Sequence, residues 1–175
     1  ILMAARFSRQ KDYQTLIKAL VHLPSQFKLI MCGDGIEKKQ CQDLVNKLKL
    51  NDRAFFLGNR EDIYSVIKCS DINVLSSHYE GFGLSIVEAM AAKKPAIVSN
   101  VEGMSQVVDG AGLLFDVGDD KKLAEYILKL GTNEVYYEEI SLRCYQRAQI
   151  YSLNVMVDKY INEYEKILSD KYAAS

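Results

Sequence analysis

Two pairs of side chains stand out by type and spacing. Glu80 and Glu88 lie eight residues apart in the stretch SSHYEGFGLSIVEAMAA, residues 76–92, and Arg6 and Lys11 lie five apart near the start of the chain. Between the two acids runs a turn, Glu80-Gly81-Phe82-Gly83. Leu84, Ile86, Val87, Ala89 and Met90 then recur at helical spacing. Ahead of the turn, the apolar run Ile72-Asn73-Val74-Leu75 reads as the end of a buried strand. Strand, glycine turn and helix start together make an anion site. The first helical turn leaves backbone N–H groups unpaired, and the helix dipole adds about half a positive charge there. Acids repel phosphate but suit hydroxyl groups, so the ligand this pattern fits carries both phosphates and sugars. Ser85 with Glu88 three residues on has the form of a capping box, which predicts a helix starting near Ser85. Glu88 is then either a cap partner or a ligand contact.

The elements needed to position these groups are legible along the chain. Apolar runs at Ile1–Ala5, Phe27–Cys32, Ala54–Leu57, Ile72–Leu75, Pro95–Val98 and Gly112–Phe115 read as six strands. Between them, helical periodicity covers Tyr13–Leu23 (capped by Asp12 and stopped at Pro24), Ile36–Leu50, Asp62–Cys69, the segment from Ser85, and Met104–Val108. Three more helices follow, over Asp119–Leu130, Val135–Ile150 and Leu153–Leu168. Strands alternating with helices at short connections imply parallel units with right-handed crossovers. The expected fold is α/β, a Rossmann-like doubly wound parallel sheet of about six strands with helices on both faces. Such sheets bind ligands beyond the carboxyl ends of the strands at the switch point. Arg6, Lys11, Gly33, Gly58, Arg60 and Glu80 all follow strand ends.

Composition narrows the function. The 175 residues are 49% hydrophobic and 26% charged, enough for one domain with its own core. A net charge of −1 supplies no global field for nucleic acid or anionic lipid, so phosphate recognition has to be local. Four scattered cysteines with no CxxC pair, and only two histidines, do not form a zinc pattern and suit a reducing cytoplasm. The chain has no apolar run of about 18 residues or more and no signal peptide. Opening on Ile1-Leu2, directly in a strand-like run, it reads as an excised fragment.

The string from Glu80 to Ala91, EGFGLSIVEAMA, resembles the E-x7-E signature of glycosyltransferase family 4, retaining enzymes of the GT-B fold that use nucleotide sugars. Arg6 and Lys11 are similar to that family's Gly-Arg-x4-Lys-Gly pattern, with Ala5 and Asp12 at the two glycine positions. The resemblance implies that the whole chain, residues 1–175, is the C-terminal, nucleotide-sugar-binding domain, with the helices from about residue 135 packing back across it and the N-terminal acceptor domain absent. It implies Glu80, Arg6 and Lys11 as the catalytic set. Arg6 and Lys11 would hold the donor diphosphate as it gains charge on leaving, and Glu80 would face the donor sugar. Gly81, Phe82, Gly83, Leu84 and Ser85 would contact sugar and phosphate, and Glu88 would bond the ribose hydroxyls. Gly33, in Gly33-Asp34-Gly35, and Gly58 with Arg60 would border the nucleotide, Arg60 stacking on the base. Each has a plainer alternative: Phe82 as a core plug, the Gly33 segment as an ordinary tight turn, Arg60 as a surface charge, and Glu88 as a cap. His78 could touch the sugar or be structural, and the Tyr160–Tyr164 stripe reads as packing.

On this reading the enzyme is a hexosyltransferase of cytoplasmic or inner-membrane-face location. It would move sugar from a UDP- or GDP-sugar to a glycan or lipid-linked acceptor in surface polysaccharide or lipopolysaccharide synthesis. No metal and no cofactor are implied, since the chain has no D-x-D and the cations replace the ion. The expected partners are the nucleotide sugar, the chain's own N-terminal domain and the acceptor, with no nucleic acid. Membrane contact would come only through the missing domain, and the fragment alone would be inactive. The competing readings are a non-catalytic nucleotide-binding module and a protein-interaction domain of Rossmann-like shape.

Overall fold

A computed structural model describes the backbone of residues 1–173 and the side chains of residues 1–169. Six strands, β1 (Leu2–Ala4), β2 (Leu29–Cys32), β3 (Ala54–Gly58), β4 (Asn73–Leu75), β5 (Ala96–Ser99) and β6 (Leu113–Phe115), form one sheet. Its order is β3-β2-β1-β4-β5-β6, and every pair is parallel. Chain order runs outward in both directions from the centre, so the switch point falls between β1 and β4, where ligands of such sheets bind.

The helices are α1 (Tyr13–Val21), α2 (Lys38–Lys47), α3 (Ile63–Cys69), α4 (Leu84–Ala91), α5 (Glu102–Val108), α6 (Asp120–Thr132), α7 (Glu134–Ala148) and α8 (Leu153–Ala173). They cover both faces of the sheet. The alternation within β1 shows why: Leu2 packs with Cys32, Ile67 of α3 and Ala89 of α4, whereas Met3 turns to the opposite core with Leu16, Ile17 and Met31. The central strands β4 and β5 are buried along their whole length, which accounts for their continuous apolar runs. Among the described residues every buried side-chain nitrogen and oxygen has a hydrogen-bond partner. Ser76 Oγ, for example, donates to the carbonyl of Asp12 at 2.8 Å and lies 3.2 Å from that of Lys11, and Ser99 Oγ donates to the carbonyl of Ser77.

The expected elements form, with strand and helix ends displaced by a few residues. Asp12 caps α1 as the sequence predicts, accepting from the Thr15 N–H at 3.3 Å. The predicted start of α4 needs correction. It opens at Leu84, and Gly83, with φ 68, stands at its N-cap, so the Ser85–Glu88 capping box does not form. The chain enters α4 through a left-handed residue, a conformation open to glycine and costly for serine, which leaves Ser85 inside the first turn.

The C-terminal helices divide in character. α7 buries Ile140, Cys144 and Ala148, and its Ser141 Oγ donates to the carbonyl of Lys93 just past α4. α8 leaves Leu153, Met156, Val157, Tyr160, Ile161, Tyr164, Ile167 and Leu168 exposed along one stripe, Tyr160 and Tyr164 included. All four cysteines are free thiols: Cys32, Cys41 and Cys144 are buried, and Cys69, the last residue of α3, is exposed.

Candidate functional site

The loops leaving β1 and β4 meet at the switch point. The first runs through Arg6 to Asp12 and carries a short 3-10 turn at Arg9–Lys11. It is held from within by Tyr13 at the start of α1. The Tyr13 hydroxyl lies 2.8 Å from the carbonyl of Ala5 and 2.9 Å from that of Cys32, and accepts from the Ala5 N–H at 3.0 Å. Phe7 stacks on the Tyr13 ring at 4.0 Å between centroids. Burial pushes the Tyr13 phenol well above its usual range, so it stays neutral.

Asp12 adopts φ 46, a left-handed conformation, at the position where the family pattern has glycine. Aspartate tolerates this conformation better than most residues. Its carboxylate is engaged locally: Thr15 Oγ1 donates to it at 2.5 Å, and His78 Nε2 lies 3.5 Å away. The negative charge of Asp12 is thus taken up at the N-terminus of α1.

The second loop docks on the first. The His78 N–H donates to the carbonyl of Gln10 at 2.8 Å, and Gln10 Nε2 donates to that of Tyr79 at 2.9 Å. The charged groups then come together, since Lys11 Nζ pairs with Glu80 Oε2, both side chains being more than four-fifths buried. The Glu80 carboxylate also accepts from the Gly81 N–H at 3.2 Å. Arg6 projects into solvent from the same loop, and its side chain makes no ion pair or hydrogen bond among the described residues. The N–H groups of Leu84 and Ser85 likewise find no acceptor among the described residues. A lysine, a free arginine and an open helix N-terminus therefore share one sheet edge, suited to an anion. Glu88 is half-buried in α4 and makes no side-chain bond among the described residues.

Close backbone approach fixes the neighbouring loops. A Cβ added to Gly33 would fall 2.0 Å from the carbonyl oxygen of Ala5, and one added to Gly35 would fall 2.3 Å from that of Phe7. The Gly33 N–H donates to the carbonyl of Gly58 at 2.7 Å, joining the loops after β2 and β3. The result is a recess of about 610 Å³ whose walls include Arg6, Gly33, Asp34, Ile36 and Asn59. A second recess of about 350 Å³ runs between Gly33, Arg60 and Ser85. Arg60 is exposed, and Asp62 grips its guanidinium through two bonds of 2.8 and 2.7 Å. Phe82 is 42% exposed, with the edge of its ring system meeting Tyr151 at 5.2 Å between centroids, so it is not a core plug. Sequence reasoning did not assign Tyr151 to the site, because no local pattern ties a tyrosine between two helices to Phe82 far along the chain. A further recess of about 590 Å³ opens at the amino ends of the strands, around Lys28, Asp71 and Tyr137, and contains none of these groups.

Residues 1–150 match the family described as glycosyl transferases group 1. The chain belongs to this family. It is 29% identical over 174 residues to the N-acetyl-alpha-D-glucosaminyl L-malate synthase of Bacillus anthracis, covering 97% of this chain and 45% of that protein. It is 30% identical over 164 residues to the lipopolysaccharide core biosynthesis glycosyltransferase LpsD of Rhizobium meliloti, covering 92% and 48%. Among solved structures, HepE of Anabaena, in complex with UDP and glucose, superposes with a TM-score of 0.87 at 28% identity, covering 94% of this chain and 47% of that one. The chain spans about half the length of the curated relatives it matches. Its sheet is that of a GT-B glycosyltransferase C-terminal domain. Among the described residues no helix is long and apolar enough to cross a membrane.

Proposed function

We propose that this chain is the donor-binding domain of a retaining glycosyltransferase that takes its sugar from a nucleoside-diphosphate sugar. The observation that carries the reading is the meeting of Lys11, Glu80 and the open start of α4 between the carboxyl ends of β1 and β4. Diphosphate is the anion such a place suits. Lys11 and Arg6 would take its charge as the bond to the sugar breaks, and the Leu84 and Ser85 amides would hold the oxygens. No metal is needed in this scheme, because the cations and the helix dipole act where charge develops. Glu80 would face the sugar, and Glu88, unused as a cap, would bond the ribose. Gly33, Gly58 and Arg60 would border the base. UDP is the favoured nucleotide, since the HepE structure holds UDP.

In this reading the acceptor, a glycan or lipid-linked sugar of a surface polysaccharide or lipopolysaccharide, approaches from the enzyme's N-terminal domain. The exposed stripe of α8 faces that domain, and the enzyme works in the cytoplasm or at the inner face of the membrane. Transfer of a hexose needs both domains, so the 175-residue chain binds donor without turning it over. Calorimetric titration of the chain with UDP and GDP tests the binding. Saturable UDP binding supports the proposal, and absence of binding by either nucleotide refutes it. A labelled-donor assay on the chain with and without its N-terminal domain tests the rest: transfer by the chain alone would place the acceptor site in this domain and overturn the assignment.

A further inference from the structure

We infer that Tyr151 is a positioning residue for the Glu80–Gly83 turn, acting through Phe82 and through α5. This deepens the function proposed above and rests on it. Within itself the turn is held by little more than the Gly81 N–H bond to the Glu80 carboxylate. Phe82 stands between two glycines, so the backbone on either side is unusually free, and its ring is the one side chain in that triplet able to anchor the segment. That ring lies edge-to-face on Tyr151, at an interplanar angle of 85°.

Tyr151 is itself fixed on the far side. It ends the 3-10 turn Gln149–Tyr151, between α7 and α8. Its hydroxyl donates to the carbonyl of Val107 at 3.2 Å and accepts from Arg147 Nη2 at 3.1 Å. Arg147 also donates to the carbonyls of Val107 at 3.0 Å and Gln106 at 2.6 Å. The two residues thus grip the last turn of α5. The first turn of the same helix touches the Glu80–Gly83 turn directly, since a Cβ on Gly103 would fall 1.9 Å from the carbonyl oxygen of Glu80 and 2.5 Å from that of Gly81. α5 has seven residues, about 10 Å of helix, too short to bend between its ends. Two contacts therefore run from Tyr151 to the turn that presents Glu80 and starts α4. One passes ring to ring, and the other passes along α5. Because Tyr151 is also the residue before the link to α8, the turn is set by the same segment that directs the final helix.

The test uses the whole chain and three variants, Tyr151→Ala, Tyr151→Phe and Tyr151→Leu, each with UDP titration, a melting curve and the amide signals of Gly81, Gly83 and Gly58. Tyr151→Ala is expected to weaken UDP at least threefold and to move the Gly81 and Gly83 signals while leaving Gly58, on the far side of the site, in place. Tyr151→Phe keeps the ring contact with Phe82 but drops the hydroxyl's hold on α5, and should weaken UDP less than Tyr151→Ala does. Unchanged UDP affinity in a folded Tyr151→Ala chain overturns the inference. So do glycine shifts spread equally to Gly58, which signal general loosening, and damage by Tyr151→Phe equal to that by Tyr151→Ala. If Tyr151→Ala fails to fold, Tyr151→Leu, which keeps apolar bulk, decides by the same criteria. A wild-type chain that binds neither UDP nor GDP refutes the proposed function, and the glycine signals then decide the positioning role by themselves.

Discussion

The loops after β1 and β4 leave neighbouring strands at the same edge, yet they are held in opposite ways. The loop after β1 is stabilised from inside. Tyr13 bonds its backbone, Phe7 stacks on Tyr13, and Asp12 caps the helix that follows. The turn after β4 has almost no internal support and takes its shape from neighbours: Lys11 on one side, Gly103 behind, and Tyr151 below. The rigid loop carries the cations and the borrowed turn carries the acid. In the proposed function the cations would act on a diphosphate, and such groups act best when preorganised.

The largest effect should come from breaking the wall behind the rigid loop. Gly33→Ala forces a Cβ to within 2.0 Å of the Ala5 carbonyl at a φ of 130, and should lower unfolding free energy by about 3 kcal/mol in urea titration. Gly81→Ala, in the borrowed turn, meets nothing within 4 Å and should change stability by less than about 0.5 kcal/mol. Comparable losses in the two variants would remove the distinction between the loops. Next in size, Lys11→Ala should weaken UDP on the order of tenfold, the scale of a charge-assisted bond of about 1.5–3 kcal/mol. Equal calorimetric affinities for wild type and variant would take Lys11 out of the diphosphate site.

A smaller effect concerns pH. The Tyr13 phenol is raised by burial, so the unfolded chain ionises first, near pH 10. The stability contributed by the neutral phenol is complete below that pH and is lost above it, by about 1.4 kcal/mol per pH unit. Burial also pushes Cys41 up to about 12, which adds to the decline from pH 9 upward. Urea titrations at stepped pH should show a shallower alkaline fall for Tyr13→Phe than for wild type; an identical slope would mean that the phenol ionises in the folded loop. Smallest of all, Glu80→Gln releases Lys11 from its partner. UDP affinity should hold or rise a few-fold, while under the proposed function turnover by the chain joined to its N-terminal domain should drop. A loss of nucleotide affinity would show instead that Glu80 sets the lysine in place.

Much of this arrangement is legible in the sequence, for physical reasons. Buried parallel strands write themselves as runs such as Ala96-Ile97-Val98, and Asp12 announces a cap because its partner Thr15 lies three residues on. The start of α4 was misplaced because a serine followed by a glutamate fits a box equally well wherever the backbone permits, and only the left-handed Gly83 rules it out. The Lys11–Glu80 pair could not be read, since 69 residues separate its members and no local pattern reports such a contact. The conformation of Asp12 was legible only indirectly. The family pattern has glycine there, but an aspartate does not by itself signal a positive φ. Tyr151 and Gly103 were missed for a similar reason: each acts on the turn from a different element.

The uneven burial of the four thiols makes the chain a convenient object for labelling. Three are packed in the interior, two of them with their ionisation pushed up to about 11 and about 12, whereas Cys69 stands in solvent at the end of α3. Nucleophilic thiolate forms readily only where water reaches the sulfur, so a maleimide dye should attach to the native chain at one position. That position borders the recess at the amino ends of the strands, on the far side of the sheet from Lys11 and Glu80. A fluorophore placed there would sit clear of the Lys11–Glu80 pair without any engineered cysteine in this domain.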